Sequence, residues 1–265
     1  MSTLGKTMRL RRLVRPDTGR CVLLAVSHGT STPEIFAQLE DTPGQVEAAL
    51  AGGADCTLIS AGMAAATRDV FARHPDKGFV AKMSATSYEA RPRETVISSV
   101  ERAARDGADA VGVLMQLTPE SERDVIAMIA TLGEECDRLG MPYVVEAEWP
   151  GAYGTQRWFP DDVVAYLRRS CRLAQELGAD IIKTNWPGGA EQYAEVIAPV
   201  SVPTVVAGGA KMGEDDLIAM IESAIQGGAA GCSVGRNIFQ ADDPRAVTAR
   251  IADAVHATAP LAATA

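Results

Sequence analysis

Short apolar runs rich in β-branched residues recur along the chain, at Val22 to Val26, Cys56 to Ser60, Phe79 to Met83, Ala110 to Leu114, Tyr143 to Ala147, Asp180 to Thr184, Thr204 to Ala207 and Gly231 to Val234. Each has the length of a strand buried on both faces. Between them lie stretches with apolar residues three and four apart, which predict helices over Glu94 to Arg105, Ser121 to Leu139, Asp161 to Leu177 and Glu214 to Gln226. Glycine-led signals precede several strands: Gly53-Ala54-Asp55, Gly107-Ala108-Asp109 and Gly178-Ala179-Asp180. A glycine there ends a helix and lets the chain turn into the next strand. Strand and helix alternate throughout, which predicts an α/β fold with a parallel sheet covered by helices. Eight such units close into a single (β/α)8 TIM barrel, with a doubly wound open sheet as the alternative.

The length of 265 residues fits this architecture, which typically needs about 250. No composition shift or linker divides the chain, so one domain over 1–265 is expected, with an N-terminal arm at 1–20 and a flexible tail at 257–265. With 47% hydrophobic and 22% charged residues the chain belongs among folded globular proteins. The net charge of −9 argues against a nucleic acid or an acidic membrane as partner. Arg9, Arg11, Arg12, Arg15 and Arg20 form a basic cluster with no interleaved aromatic residues, which reads as a solvated arm or a lid over the bottom of the barrel. No apolar run is long enough for a signal-peptide core or a membrane span, so a cytoplasmic address is expected. Cys21, Cys56, Cys136, Cys171 and Cys232 are scattered and never spaced as C-x-x-C. They read as reduced packing residues rather than a disulfide framework or a zinc site.

In a β/α barrel the chemistry lies at the strand C-termini and the loops after them. That rule selects Ser27, His28, Lys82, Met83, Gln116, Glu146, Glu148, Trp149, Lys183, Thr184, Gly208, Gly209, Gly235 and Arg236. Lys183 is a strand lysine, and a desolvated amine has a lowered pKa and attacks a ketone to form a Schiff base. Lys82 holds the analogous place on the third strand; pattern does not rank the two, and either can be an ion-paired structural group. A second cation would depress the amine's pKa further or bind an anionic substrate group. Alternation places Glu146 and Glu148 on one strand face, from which a carboxylate shuttles protons or pairs with a lysine. His28, directly after the first strand, is a further acid or base candidate.

The loops after the seventh and eighth strands, Gly208-Gly209-Ala210-Lys211 and Gly235-Arg236-Asn237, have the glycines and the cations of a phosphate site. Gly231-Cys232-Ser233-Val234-Gly235 matches the nucleophile-elbow pattern of serine hydrolases, but the only downstream histidine is His256, near the tail. With His28, His74 and His256 far apart, no three-histidine metal site is expected, which leaves an organic route for activating a carbonyl.

These residues resemble the archaeal-type class I fructose-bisphosphate aldolases and their relatives, the 2-amino-3,7-dideoxy-D-threo-hept-6-ulosonate synthases. The similarity runs over nearly the whole chain, from Gly5-Lys6 and the Arg-rich segment through Ser27-His28-Gly29, Glu146 to Gly151, Glu176 to Thr184, Gly208-Gly209 and Gly235-Arg236-Asn237. The resemblance implies that Lys183 forms the imine, that Gly208, Gly209, Gly235 and Arg236 bind a substrate phosphate, that no cofactor or metal is needed, and that the protein is a homo-oligomer, with a decamer as one form. The family has an aspartate and a tyrosine where this chain has Ser27 and Trp149. The reaction implied is a metal-independent aldolase or transaldolase-type cleavage of a phosphorylated ketose or related keto compound, with proton transfer assigned to Glu148, Glu146 and His28, and substrate contacts to Ser27, Lys82, Trp149 and Lys211. The alternatives are an acyl-transferring, thiolase-like relative using the same lysine, and a degenerate barrel that only binds sugar phosphates.

Overall fold

A computed structural model describes residues 3–87, 93–150 and 162–257. Its strands are β1 (Cys21–Ala25), β2 (Cys56–Ser60), β3 (Gly78–Lys82), β4 (Ser84–Ser87), β5 (Arg93–Val96), β6 (Ala110–Met115), β7 (Tyr143–Ala147), β8 (Ile181–Thr184), β9 (Thr204–Ala207) and β10 (Gly231–Val234). Eight of them form a closed parallel barrel in the order β1-β10-β9-β8-β7-β6-β3-β2, each laid beside its sequence neighbour among the barrel strands. Two apolar layers result from the period-two alternation of each strand. One face, including Leu23, Leu58, Val80, Val144, Ile181 and Val205, fills the barrel; the other packs against the helices.

The Gly-Ala-Asp signals have a structural meaning beyond turning the chain. In each, the glycine takes a positive φ: 106° at Gly53, 88° at Gly107 and 94° at Gly178. The alanine is buried, and the aspartate reaches back to the preceding barrel strand. Carboxylate oxygens accept from Val22 N (Asp55, 2.7 Å), Phe79 N (Asp109, 3.0 Å) and Tyr143 N (Asp180, 2.8 Å). The barrel strands are thus stitched in pairs at their N-terminal ends: β1 to β2, β3 to β6 and β7 to β8. In the fourth pair, β9 and β10, Gly228-Ala229-Ala230 keeps the glycine turn without the carboxylate.

The basic arm closes this same end. After a helix at Leu4–Leu10, the chain buries Leu13 completely among the barrel-filling side chains. Lys6 pairs with Asp180 at 2.9 Å, Arg12 with Asp109 at 3.2 Å, and Arg20 donates to the Ala229 carbonyl at 3.0 Å. Those arginines and the lysine are engaged within the chain, as a lid over the bottom.

One predicted element is overturned. The helix expected from Glu94 begins only at Val100, and Arg93–Val96 is instead paired antiparallel with Ser84–Ser87, in the register Ser84↔Val96 and Thr86↔Glu94. The β-branched Thr95, Val96 and Ile97 favour extended backbone, and Ser99 supplies the N-cap that starts the real helix, its Oγ accepting from Arg102 N at 3.1 Å. The other predicted helices are found within two residues at Glu122–Leu139, Val163–Glu176 and Glu214–Gln226. Asp161, the expected start of one of them, and the tail beyond Ala257 lie outside the described residues. No helix among the described residues is long and apolar enough to cross a membrane. All five cysteines are buried and unpaired.

Candidate active site

The other end of the barrel opens into a cavity of about 220 Å3. Its polar floor comes from β3, β7 and β8, whose inward positions carry Lys82, Glu146 and Lys183; Glu148 and Asn185 follow one step beyond their strands. Backbone register places Glu146 directly beside Lys183. Glu146 is only 4% exposed and accepts from both lysines: Oε1 takes the Lys82 ammonium, and Oε2 lies 2.7 Å from Lys183 Nζ. Glu148, 2% exposed, lies 2.8 Å from the same Nζ. The result is a buried chain of alternating charge, Lys82–Glu146–Lys183–Glu148.

Of the two readings of Lys183, desolvated amine or ion-paired ammonium, this chain favours the second. Burial does work against its charge, but the Glu146 and Glu148 carboxylates outweigh burial and push its pKa above that of an ordinary lysine. Burial likewise pushes Glu146 up, and the two ammonium groups overcome it, holding this carboxyl down at about 2. Lys82 is therefore, after Lys183, a second partner that keeps Glu146 ionised. It is not a free cation beside the amine.

His28 stands in the short turn His28–Thr30 after β1, its ring edge-on to Phe36 and Phe239 with centroids at 5.5 and 4.9 Å. Burial, followed by the positive charges of Lys183 and Arg236, lowers its pKa to about 4, so the ring is neutral at pH 7. Its Nδ1 is buried without a hydrogen-bond partner among the described residues. Ser27 lines the cavity beside it.

Above β9 and β10 the rim is made by Gly208, Gly209, Ala210, Gly235 and Arg236. Asn237 ties the two loops together, donating from Nδ2 to the Gly208 and Ala210 carbonyls, both at 2.9 Å, and accepting from Met212 N at 2.9 Å. Gly235 is a site of close approach: a Cβ there would fall 2.5 Å from His28 Cε1 and 2.6 Å from the Ala25 carbonyl oxygen. No carboxylate pairs with the Arg236 guanidinium among the described residues.

Two expected contacts lie elsewhere. Trp149 does not line the cavity; its indole meets Tyr166 edge-on at 4.8 Å, packed with the apolar shell between barrel and helices. Lys211 turns away from the mouth, 3.4 Å from the Asn237 carbonyl, in a depression on the outer side of the loop. Gly151 falls outside the described residues. Of the further positions selected for scrutiny, Met83, Gln116 and Thr184 also lie off the cavity; the Thr184 hydroxyl donates to the Ala147 carbonyl at 2.9 Å.

The cavity also contains residues that strand-end reasoning passed over: Ser31, Thr32, Glu34 and Phe36 on the loop after β1, Leu114, Asn185, and Ser233. The nucleophile-elbow pattern around Ser233 has no catalytic meaning, because Ser233 lies within β10 rather than on a turn. His256 sits at the opposite end of the barrel, bonded to Asp55 at 3.0 Å and Thr18 at 3.1 Å. His74 pairs with Glu47 at 2.9 Å, away from both ends' chemistry.

Three likenesses to known proteins bear on this arrangement. A model of the DeoC/LacD family aldolases matches residues 21–241. Over 263 residues, 97% of this chain and 93% of the relative, the sequence is 33% identical to a 2-amino-3,7-dideoxy-D-threo-hept-6-ulosonate synthase of Halobacterium salinarum. The chain also superimposes on a Schiff-base-forming fructose-1,6-bisphosphate aldolase with a TM-score of 0.82 and 25% identity, covering 94% of this chain and 99% of the other.

Proposed function

The chain belongs to the DeoC/LacD aldolase family and is a Schiff-base, class I carbon–carbon lyase, and from that premise we propose that Lys183 is its imine-forming amine and a phosphorylated ketose or related keto compound its substrate. The observation that carries this is the position of Lys183 Nζ at 2.7 Å from Glu146 and 2.8 Å from Glu148, on the wall of a cavity rimmed by two glycine loops. Family membership favours cleavage of a carbon–carbon bond over the acyl-transfer and binding-only alternatives. A homo-oligomer and a cytoplasmic location belong to the same reading, the second supported by five unpaired thiols.

The resting ammonium fixes the order of events. Lys183 passes a proton to a carboxylate before attacking the carbonyl, and the hydroxyl of the resulting carbinolamine leaves as water when that proton is returned. Glu148, 2.8 Å from the same nitrogen, takes that proton and is the base in this scheme. The protonated imine then takes up the electron pair of the breaking carbon–carbon bond, while a base removes the proton of the hydroxyl on the far carbon. Neutral His28, which lines the cavity, suits that step. Ser27, in place of the family's aspartate, offers a hydroxyl for orientation rather than a carboxylate. The phosphate lies against Gly208, Gly209 and Gly235 with Arg236 as counter-charge, the backbone N–H groups donating to its oxygens.

Borohydride reduction in the presence of a panel of ketose phosphates and keto acids tests the assignment. Mass spectrometry should place the reduced adduct on the peptide containing Lys183, and Lys183→Ala should abolish it. An adduct on Lys82, or one that survives Lys183→Ala, would overturn the reading.

A further inference from the structure

Ser233 is a buried polar group for which the chemistry above has no use. It is 2% exposed, lines the cavity, and its Oγ has no hydrogen-bond partner among the described residues. Its register partners are Leu23 on β1 and Ala207 on β9, whose side chains offer nothing to bond. A hydroxyl in such a place is unfavourable unless something else supplies its partner, and alanine would fill the same space without that cost.

Its height in the barrel says what that partner is. Strand residues rise about 3.3 Å each, so Ser233 lies about 6.6 Å below Gly235, the residue that rims the proposed phosphate site. A keto phosphate anchored at the rim therefore brings its carbonyl region to this level. The charged groups Lys82, Glu146, Glu148 and Lys183 occupy the β3, β7 and β8 side; the wall formed by β9, β10 and β1 carries Ala207, Ser233 and Ala25. The carbonyl oxygen has to face the first set, where it is protonated and lost. An oxygen on the adjacent carbon, on the side away from the phosphate, faces the second wall, and there Ser233 is the polar side chain that meets it.

We propose that Ser233 is a specificity-determining residue, its buried hydroxyl hydrogen-bonding the hydroxyl on the carbon next to the substrate's carbonyl and so selecting α-hydroxylated keto phosphates over their deoxy analogues. The proposal rests on the keto-phosphate reading of the site. It gives a purpose to a serine placed among alanines and aliphatic residues, and it assigns the β10 wall to recognition rather than to bond-breaking.

The test uses two donors that differ by that one oxygen, dihydroxyacetone phosphate and hydroxyacetone phosphate. For each, the concentration giving half-maximal borohydride trapping is measured on the wild-type protein and on Ser233→Ala, with thermal midpoints taken in parallel. The wild type should prefer the hydroxylated donor. Ser233→Ala should raise its half-saturating concentration about tenfold, the net worth of one hydrogen bond, and leave the deoxy donor unchanged. Because an unpaired buried hydroxyl is removed, the midpoint should stay or rise; a purely structural serine would lower it. Equal changes for both donors, or no change for either, overturn the proposal. If the wild type traps other ketose phosphates but neither of these two donors, this inference fails alone; if it traps no phosphorylated keto compound at all, the keto-phosphate reading fails and takes the inference with it, and either result is visible before any variant is compared.

Discussion

Among single residues, the contrast between Lys82 and Lys183 shows where side-chain type stops being informative. Both are inward-facing strand lysines, and pattern alone left them tied. Their difference lies in their neighbours: Lys183 lies between two carboxylates, Glu146 on β7 and Glu148 just beyond it, whereas Lys82 serves Glu146 from the other side. Sequence logic weighed desolvation and a second cation, which lower an amine's pKa, against pairing with a carboxylate, which raises it, but could not show that both Glu146 and Glu148 reach the same lysine. His28 is the opposite case, a group whose position after β1 was legible but whose environment was not. Its pKa of about 4 in the fold, against an ordinary 6.5, comes first from burial and then from Lys183 and Arg236. Between those values the unfolded chain binds a proton that the folded one refuses, so stability rises with pH. The contribution is complete above pH 6.5 and is lost as pH falls toward 4, in total about 3 kcal/mol at 1.36 kcal/mol per pKa unit. Thermal midpoints from pH 7 to 4.5 should therefore fall less steeply in His28→Asn than in the wild type; superimposable slopes would contradict the assignment. Glu146 does not confuse the comparison, since its protonation belongs to the lower range between 4.5 and about 2.

Elements were read well where they repeat and poorly where they depart from repetition. All eight barrel strands stood out as β-branched runs, and three of the four helices were found nearly in register. The β4–β5 pair was missed because it interrupts the strand–helix rhythm after β3, directly before a real helix at Val100–Arg105 whose spacing the sequence reading extended back to Glu94. Trp149 was misplaced for a related reason: Glu146 and Glu148 share the inward face, so the next residue points outward, onto Tyr166. The loops after β9 and β10 were legible as glycine-rich, but the crossbar made by Asn237 was not, since hydrogen bonding across two loops leaves no local pattern. That region makes a sharp test possible. Gly235→Ala puts a methyl against the Ala25 carbonyl and the His28 ring, and should cost about 1–3 kcal/mol while weakening donor trapping. Gly29→Ala, in the loop after β1 with nothing within 4 Å of the added Cβ, should leave both unchanged. Thermal melts and trapping titrations on the pair would show whether the close approach at Gly235 matters as described.

Across the whole molecule the two ends of the barrel do different jobs. The N-terminal end is sealed by Leu13, by ion pairs from the arm, and by the aspartate stitches; the C-terminal end holds the charged chain, the neutral histidine and the glycine rim. Sequence alone revealed the repeated Gly-Ala-Asp signal, beside the eight apolar runs that gave the number of units, but read it only as a way to turn the chain. The partners of Asp55, Asp109 and Asp180 are 30 or more residues away and come into view only once the barrel closes. The substrate hydroxyl assigned to Ser233 was equally hidden, since the Gly-x-Ser-x-Gly pattern around it points to a different chemistry.

The stitches also divide the barrel into two-strand modules, and this bears on where the chain can be cut. His256, near the end of the last helix, bonds Thr18 at 3.1 Å, so the C-terminal helix already meets the N-terminal arm, and a linker long enough to cross the sealed end to Thr3, beside Gly140, can join them. A circular permutant opened between modules, at Pro75 to Lys77, keeps every aspartate tether within one continuous segment. One opened inside a module, at Gly107 to Asp109, separates Asp109 from the strand it holds. The first should fold with its lysine still trappable by borohydride, and the second should be markedly less stable in urea. Equal stability of the two would mean that these tethers decorate the barrel rather than organise it.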